Sequence, residues 1–282
     1  MKKFKFLAAV CCMVAMTFVS CKKDKTDEPT DPKTYTLTVL SSNEAMGTVT
    51  GGGTYEEGTE VTLTATPTSD GYAFVKWSDE NTDNPRTLTV TGNLELTAIF
   101  DYAYVDLGLS VKWATCNVGA TSPEEYGDYY AWGETTTKAT YSWDTYTLTT
   151  DGGSTFTKYN TTDGKTVLEL ADDAARANWG GAWRMPTDAE WTELRENCTW
   201  TWTTKNGVNG YEVKSKTNEN AIFLPAAGYR DDDDLSNAGF GYYWSSSLST
   251  YPLSAWGVFL DSGGVSRYGD NRYCGLSVRP VL

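Results

Sequence analysis

The chain contains no histidine. That single absence removes imidazole-activated serine and cysteine nucleophiles, histidine-ligated zinc sites and any imidazole proton shuttle. Basic residues are scarce as well: 23 Lys and Arg stand against 37 Asp and Glu, a formal net charge of −14. A chain this acidic argues against nucleic acid, and against anionic lipid held by a basic patch. Past the first twenty residues there is no long apolar run, so no membrane-spanning helix is expected there. Histidine-free catalysis by carboxylates alone needs two opposed acids flanking a bond. Glu124, Glu125, Glu134, Glu190 and Glu193 lie in turns or on a helix surface, with nothing to single out such a pair. No catalytic residue is assigned.

Cysteine is also sparse, and its placement is informative. Met1-Lys2-Lys3-Phe4-Lys5 is basic and Phe6 to Val19 is apolar, the layout of an export signal over residues 1–20. It ends in Phe18-Val19-Ser20-Cys21, which resembles a bacterial lipobox. The resemblance implies lipidation of Cys21, a membrane partner through that lipid, and an outer-membrane location facing the cell exterior; an ordinary cleaved signal is the alternative. Residues 21–33 are charged, contain proline and lack large apolar side chains, the composition of a flexible tether. Cys11 and Cys12 would leave with the signal. Cys116, Cys198 and Cys274 remain, an odd number, so at most one intramolecular disulfide forms. Cys116 neighbours Trp113, and Cys198 neighbours Trp200 and Trp202. We expect these two to be the buried, bonded pair, with Cys274 left over.

Residues 34–101 read as a β-module. Tyr35 to Val39, Val61 to Ala65, Leu88 to Val90 and Leu94 to Phe100 alternate with a period of two, and Gly58, Asp70-Gly71, Asn84-Pro85 and Gly92-Asn93 punctuate them as turns. Gly47-Thr48-Val49, Gly53 to Gly58, Gly71 to Ser78 and Asn84-Pro85-Arg86 resemble the divergent internalin-B-type repeat of bacterial surface proteins. One copy is present, so the resemblance implies a single spacer rather than an array. Trp77 is expected to be the anchor of this small core.

From residue 102 to 282 the composition shifts, with ten of the 11 tryptophans in this stretch. Thr187 followed by Glu190 is a capping box, and Trp191 and Leu194 then fall on one face of a helix running to about Asn197. Leu168 to Asn178 is expected to be helical too. Tyr104 to Leu109, Trp113 to Gly119, Gly127 to Glu134, Gly180 to Ala189, Phe223 to Gly228, Tyr243 to Ser247 and Ser277 to Val281 resemble the Fibrobacter succinogenes major paralogous domain. That resemblance implies a C-type-lectin-like fold related to the formylglycine-generating enzymes. The expected fold class is therefore a small all-β repeat module followed by an α+β C-type-lectin-like domain. Those enzymes use two nearby cysteines close to the C-terminus; here Cys274 stands alone in the corresponding stretch.

Two further constellations need weighing. Asp231, Asp232, Asp233 and Asp234 are the only candidates for a hard cation such as calcium, but adjacent carboxylates lack the alternating spacing of a calcium loop. A solvated loop is the better reading, and no cofactor is expected. The late segment combines Tyr, Arg, Ser and Asn, the mixture that antibody-like surfaces use for recognition. Tyr251, Arg267, Tyr268, Arg272 and Tyr273 are the candidate ligand-binding residues, expected to form one exposed cluster, while Trp256, Val258 and Leu260 alternate as strand core. These features make the chain an expected membrane-anchored surface lipoprotein presenting a lectin-like adhesion domain to an extracellular glycan or protein. The rival readings are an enzyme of the formylglycine-generating-like fold or a hydrolase, and a structural envelope or assembly protein.

Overall fold

The first seven strands are β1 (Thr34–Ser41), β2 (Gly47–Thr50), β3 (Gly53–Glu56), β4 (Glu60–Pro67), β5 (Tyr72–Trp77), β6 (Arg86–Thr89) and β7 (Leu94–Tyr102). Along them no two consecutive side chains are buried, and β4 and β7 bury alternate ones. The computed structural model describes residues 31–282. The expected signal, Cys21 and most of the expected tether lie outside the described residues. Strands β3-β1-β7-β5 make one sheet and β2-β4-β6 another. Leu37 of the first sheet, Leu63 and Ala65 of the second, and Leu96 and Phe100 share a single core with Trp77. Trp77 is fully buried, and its Nε1 donates to the carbonyl of Asp83 at 2.9 Å. The Asn84 side chain accepts from the amide of Ala65 at 2.9 Å and donates to its carbonyl at 2.6 Å, fastening the 78–85 loop to β4.

The rest of the chain contributes β8 (Tyr104–Val105), β9 (Trp113–Ala114), β10 (Tyr129–Tyr130), a 3-10 turn at Leu170–Asp172, α1 (Ala174–Trp179) and α2 (Asp188–Asn197). After these come β11 (Cys198–Lys205), β12 (Val208–Ser215), β13 (Ala221–Pro225), β14 (Tyr229–Asp231), β15 (Asp234–Ser236), β16 (Gly241–Leu248), β17 (Ser254–Asp261), β18 (Gly264–Asn271) and β19 (Leu276–Ser277). The central sheet has the order β10-β19-β16-β17-β18; β11-β12-β13, β14-β15 and β8-β9 are smaller sheets. Among the described residues, no strand from β8 onward joins a sheet of β1–β7. Strand predominates over helix, and Thr34–Leu282 form one compact unit.

Helix α2 starts where its residues dictate. The Thr187 hydroxyl accepts from the amide of Glu190 at 3.2 Å, and the Glu190 carboxylate accepts from the amide of Thr187 at 2.7 Å. Trp191 and Leu194 then bury against Trp113, Tyr243, Val258 and Leu260, between α2, the β11–β13 sheet and one face of the central sheet. The helix expected over 168–178 is broken. Asp173 takes extended angles (φ −93, ψ 115), and its carboxylate caps the amide of Arg176 while also accepting from that of Met185 at 2.8 Å. The segment therefore splits into the 3-10 turn and the short α1. The closing residues are tied into the same core: Val281 exchanges both backbone hydrogen bonds with Arg184. Arg279, fully buried, donates to Asn117 Oδ1 and to the carbonyls of Ala114, Thr115 and Phe223.

The expected Cys116–Cys198 disulfide is not formed. All three thiols are free and buried. Cys198, at the end of α2, packs in the Trp191 core, while Cys274 packs on the opposite face of the central sheet with Trp132 and Leu276. Cys116 sits instead beside the Thr115 hydroxyl, and burial pushes its thiol pKa up. Each thiol fills a core position of its own as a small apolar group.

Candidate ligand-binding face

Cross-strand register builds an aromatic surface on the central sheet. Tyr242 of β16 lies opposite Phe259 of β17, and Gly257 of β17 lies opposite Tyr268 of β18. Directly paired residues of antiparallel strands point to the same side, so these side chains share one face. Gly257 is required there: a Cβ would lie 2.4 Å from the carbonyl oxygen of Tyr243 on the neighbouring strand. Ring centroids are 5.1 Å apart for Tyr242–Phe259, 5.8 Å for Tyr242–Tyr268 and 5.9 Å for Phe240–Phe259. Tyr229 joins from β14, 4.8 Å from Tyr242. Phe240 and Tyr268 are each 39% exposed, whereas Tyr242 beneath them is buried. The Asn237 amide donates to the Tyr242 hydroxyl at 3.0 Å.

No charge interrupts this surface at neutral pH except at its edge. Burial pushes the Tyr268 phenol up to about 12, and also raises those of Tyr229 and Tyr242. Asp270, the next residue of β18 on the same side, accepts from the amide of Asn271, but its buried Oδ2 has no partner. Desolvation raises the pKa of this carboxyl, and Asp231 nearby adds to the effect. Rings with offset and edge-on geometry, half open to solvent and fringed by an amide and phenols, offer rigid contact area of the kind that interfaces use.

The five residues expected to form one cluster are dispersed. Tyr268 alone belongs to the aromatic face. Tyr251 is 74% exposed in the β16–β17 loop. Arg267, on the other side of β18, lies 3.5 Å over the Trp256 ring and forms two hydrogen bonds to Asp188 at 2.8 Å, tying β18 to the start of α2. It covers Trp256, which is half-buried, while Val258 and Leu260 are core as expected. Arg272 is fully buried, donating to the carbonyl of Tyr159 and lying 4.0 Å from the Phe156 ring centroid. Tyr273 is half-buried edge-on to Trp143. Asp231 to Asp234 form the β14–β15 turn, with Asp232 at φ 51 and exchanging backbone hydrogen bonds with Tyr141. Among the described residues, no group of three or more His, Cys, Asp or Glu converges to hold a metal ion. Reading the sequence missed Phe240, Tyr242 and Phe259; the Phe240-Gly241-Tyr242 alternation facing Phe259 was the available signal.

The β1–β7 module presents a different picture, with its one tryptophan inside a two-sheet core and its turns where the glycines fall. Residues 35–104 match the family model of the divergent InlB B-repeat domain. No curated protein and no solved structure matches the chain. An aromatic seam joins the repeat to the C-terminal part of the chain. Tyr102, ending β7, stacks on Trp179 of α1 at 3.8 Å with the rings 4° from parallel. Trp183 meets Tyr102 edge-on, and its Nε1 donates to Asp101 at 3.4 Å. The amide of Gly71 in the repeat donates to the carbonyl of Thr121 at 2.8 Å, and the Thr115 hydroxyl donates to the carbonyl of Asp70 at 3.1 Å.

Proposed function

We propose that this chain is a lipid-anchored surface protein whose C-type-lectin-like part recognises an extracellular glycan or protein through the aromatic face around Tyr268. One observation carries the reading: Phe240 and Tyr268 stand half-exposed on a platform of Tyr229, Tyr242 and Phe259. Binding energy concentrates in a few aromatic anchors at the centre of an interface, and exposed apolar patches mark such places. The absence of histidine favours a binding role over catalysis. The divergent InlB B-repeat, seamed to this part through Tyr102, suits a spacer that holds the face at a set orientation.

Two experiments test it. Expressed in a bacterium that lipidates exported proteins, the wild-type chain should partition into detergent and Cys21→Ala should not; equal partitioning removes the anchor from the proposal. For recognition, the detergent-solubilised full chain is applied to arrayed glycans and extracellular proteins. A partner should bind the wild type and lose at least about tenfold in affinity with Phe240→Ala/Tyr268→Ala, with Tyr251→Ala as control. Partners that are insensitive to the double variant, or no partner at all, would refute the face as the site.

A further inference from the structure

Strand β18 is the outer strand of the central sheet, and its free side is unguarded. Strand edges are ordinarily blunted by short length, proline, lysine or a bulge. The opposite edge of this sheet follows that rule, since β10 is only Tyr129–Tyr130. Strand β18 runs for 8 residues in unbroken register with β17 and contains neither proline nor lysine. Its arginine does not guard the edge, because Arg267 is folded back onto Trp256 and Asp188. Ser266, Arg267 and Tyr268 are exposed.

The hairpin fixes which main-chain groups line that edge. Asp261 and Gly264 close the turn Ser262-Gly263, and a pair closing so short a turn is hydrogen-bonded. Bonded and non-bonded pairs then alternate, so Gly264, Ser266, Tyr268 and Asp270 turn their N–H and C=O toward β17. Val265, Arg267 and Gly269 turn theirs outward. Strand β17 agrees from its other side: the carbonyl of Trp256, opposite Gly269, faces β16 and accepts from the Ser245 hydroxyl at 2.7 Å. Among the described residues, no main-chain group of Val265, Arg267 or Gly269 has a protein partner on the outer side. Asn271 ends this template, with its amide on the Asp270 carboxylate and its carbonyl accepting from the amide of Cys274.

We infer that β18 pairs edge to edge and antiparallel with β18 of a second copy of this chain, about a twofold axis at Tyr268. Both copies then present the same patch, as a closed dimer requires. The side chains select the register. Placing Tyr268 opposite Tyr268 sets Arg267 against Gly269 of the second copy, and each such pair exchanges both main-chain bonds. A slip of one residue would oppose outward-facing groups to inward-facing ones. A slip of two sets Arg267 opposite Arg267 in one direction, and Tyr268 opposite the Asp270 carboxylate in the other. At the Tyr268 register no like charges face each other, and the Ser266 hydroxyl lies opposite Asp270. The two phenol rings meet in a non-hydrogen-bonded pair, the closely spaced kind in which cross-strand aromatic contact is closest. Tyr268 ends the aromatic platform at this edge, so the pairing joins two platforms on one continuous sheet. The inference rests on strand geometry and does not depend on what the platform binds.

Light scattering of the detergent-solubilised full chain should give two copies per particle, and one copy with Gly269→Pro or with Tyr268→Lys. The proline removes an outward N–H at an edge position, where proline is tolerated, and a Cβ there would meet nothing nearer than the Trp256 ring at 3.4 Å. The lysine places two ammonium groups at the axis from an exposed site. Introduced cysteines read the register. Cys116, Cys198 and Cys274 are buried, so a mild oxidant should act on the introduced thiol. Tyr268→Cys should link to itself at least about tenfold faster than Tyr251→Cys, an exposed control that meets its counterpart only by collision. Ser266→Cys, which faces Asp270 of the second copy rather than its own counterpart, should link no faster than that control. The assignment is overturned by a single copy in the wild type, by two copies persisting in either folded variant, by Tyr268→Cys linking no faster than Tyr251→Cys, or by Ser266→Cys linking as fast as Tyr268→Cys.

Discussion

Two arginines, Arg272 and Arg279, lie fully buried without a carboxylate partner. Their guanidinium groups donate to carbonyls, and that of Arg272 also lies against the rings of Phe156 and Trp132. Nothing in Asn271-Arg272-Tyr273 announces this, because a Tyr/Arg/Asn run reads equally well as an exposed recognition loop. What decides it is a change of direction at the end of β18: the amide of Arg272 donates to the carbonyl of Leu253 and its side chain turns inward. Asp270, two residues earlier, shows the converse problem of a carboxylate held where water does not reach one of its oxygens. Its folded pKa lies above the ordinary carboxylate value, chiefly through desolvation. A raised pKa means stability that is fully present below the unfolded value of about 3.9 and is lost as pH rises through the folded value. Asp270→Asn should therefore stabilise the chain at neutral pH, by about 1 kcal/mol, and the gain should vanish in acid. Urea melts over a pH series measure it; a gain independent of pH would show that the carboxyl charge is not its source.

Secondary elements were legible in proportion to how local their determinants are. The α2 capping box is written in Thr187 and Glu190, and the alternation of Val61, Leu63 and Ala65 is written in β4; both formed as read. The split at Asp173 was not legible, because the carboxylate that breaks the helix is recruited by Met185, twelve residues on. The aromatic face was half legible. Tyr268 stood out by type, but its companions depend on which residue of β17 faces which of β16 and β18, and a one-residue slip would turn every side chain over. Arg267 was misjudged for the same reason: its neighbours Asp188 and Trp256 come from other elements. The N-terminus of α2 gives the sharpest element-scale prediction. Thr187→Ala should cost about 1 kcal/mol by unpairing an amide of the first turn. Glu190 adds a pH dependence: burial pulls its pKa up, but Arg184 and the Thr187 groups outweigh that and leave it lowered. Its contribution is thus present above the unfolded pKa of about 4.3 and lost as pH falls through the lower folded value. The stability gap between wild type and Glu190→Gln should shrink in acid; a gap constant with pH would mean that the Arg184 pair contributes nothing.

At the scale of the molecule the decisive region is the seam between the divergent InlB B-repeat and the C-terminal part. Separate sheets with separate cores would ordinarily unfold separately, and composition alone suggested two domains. The seam argues for coupling: a parallel Tyr102–Trp179 stack, the Trp183 edge contact and the Gly71–Thr121 hydrogen bond join the two. Aromatic pairs contribute about 0.5–1.5 kcal/mol beyond the area they bury, so the set is of a size to merge two transitions of modest stability. Gly71 is the place to test this. A Cβ there would lie 2.7 Å from the carbonyl oxygen of Thr121, a backbone atom that cannot swing aside. Gly71→Ala should therefore part the seam while leaving Trp77 and Trp191 in their own cores. Calorimetry of the wild type should show a single transition whose calorimetric and van't Hoff enthalpies agree. The variant should show two, the second close to the wild-type midpoint. A single transition in Gly71→Ala, shifted but still cooperative, would locate the coupling elsewhere; two transitions already in the wild type would mean that the seam orients the repeat without sharing its stability.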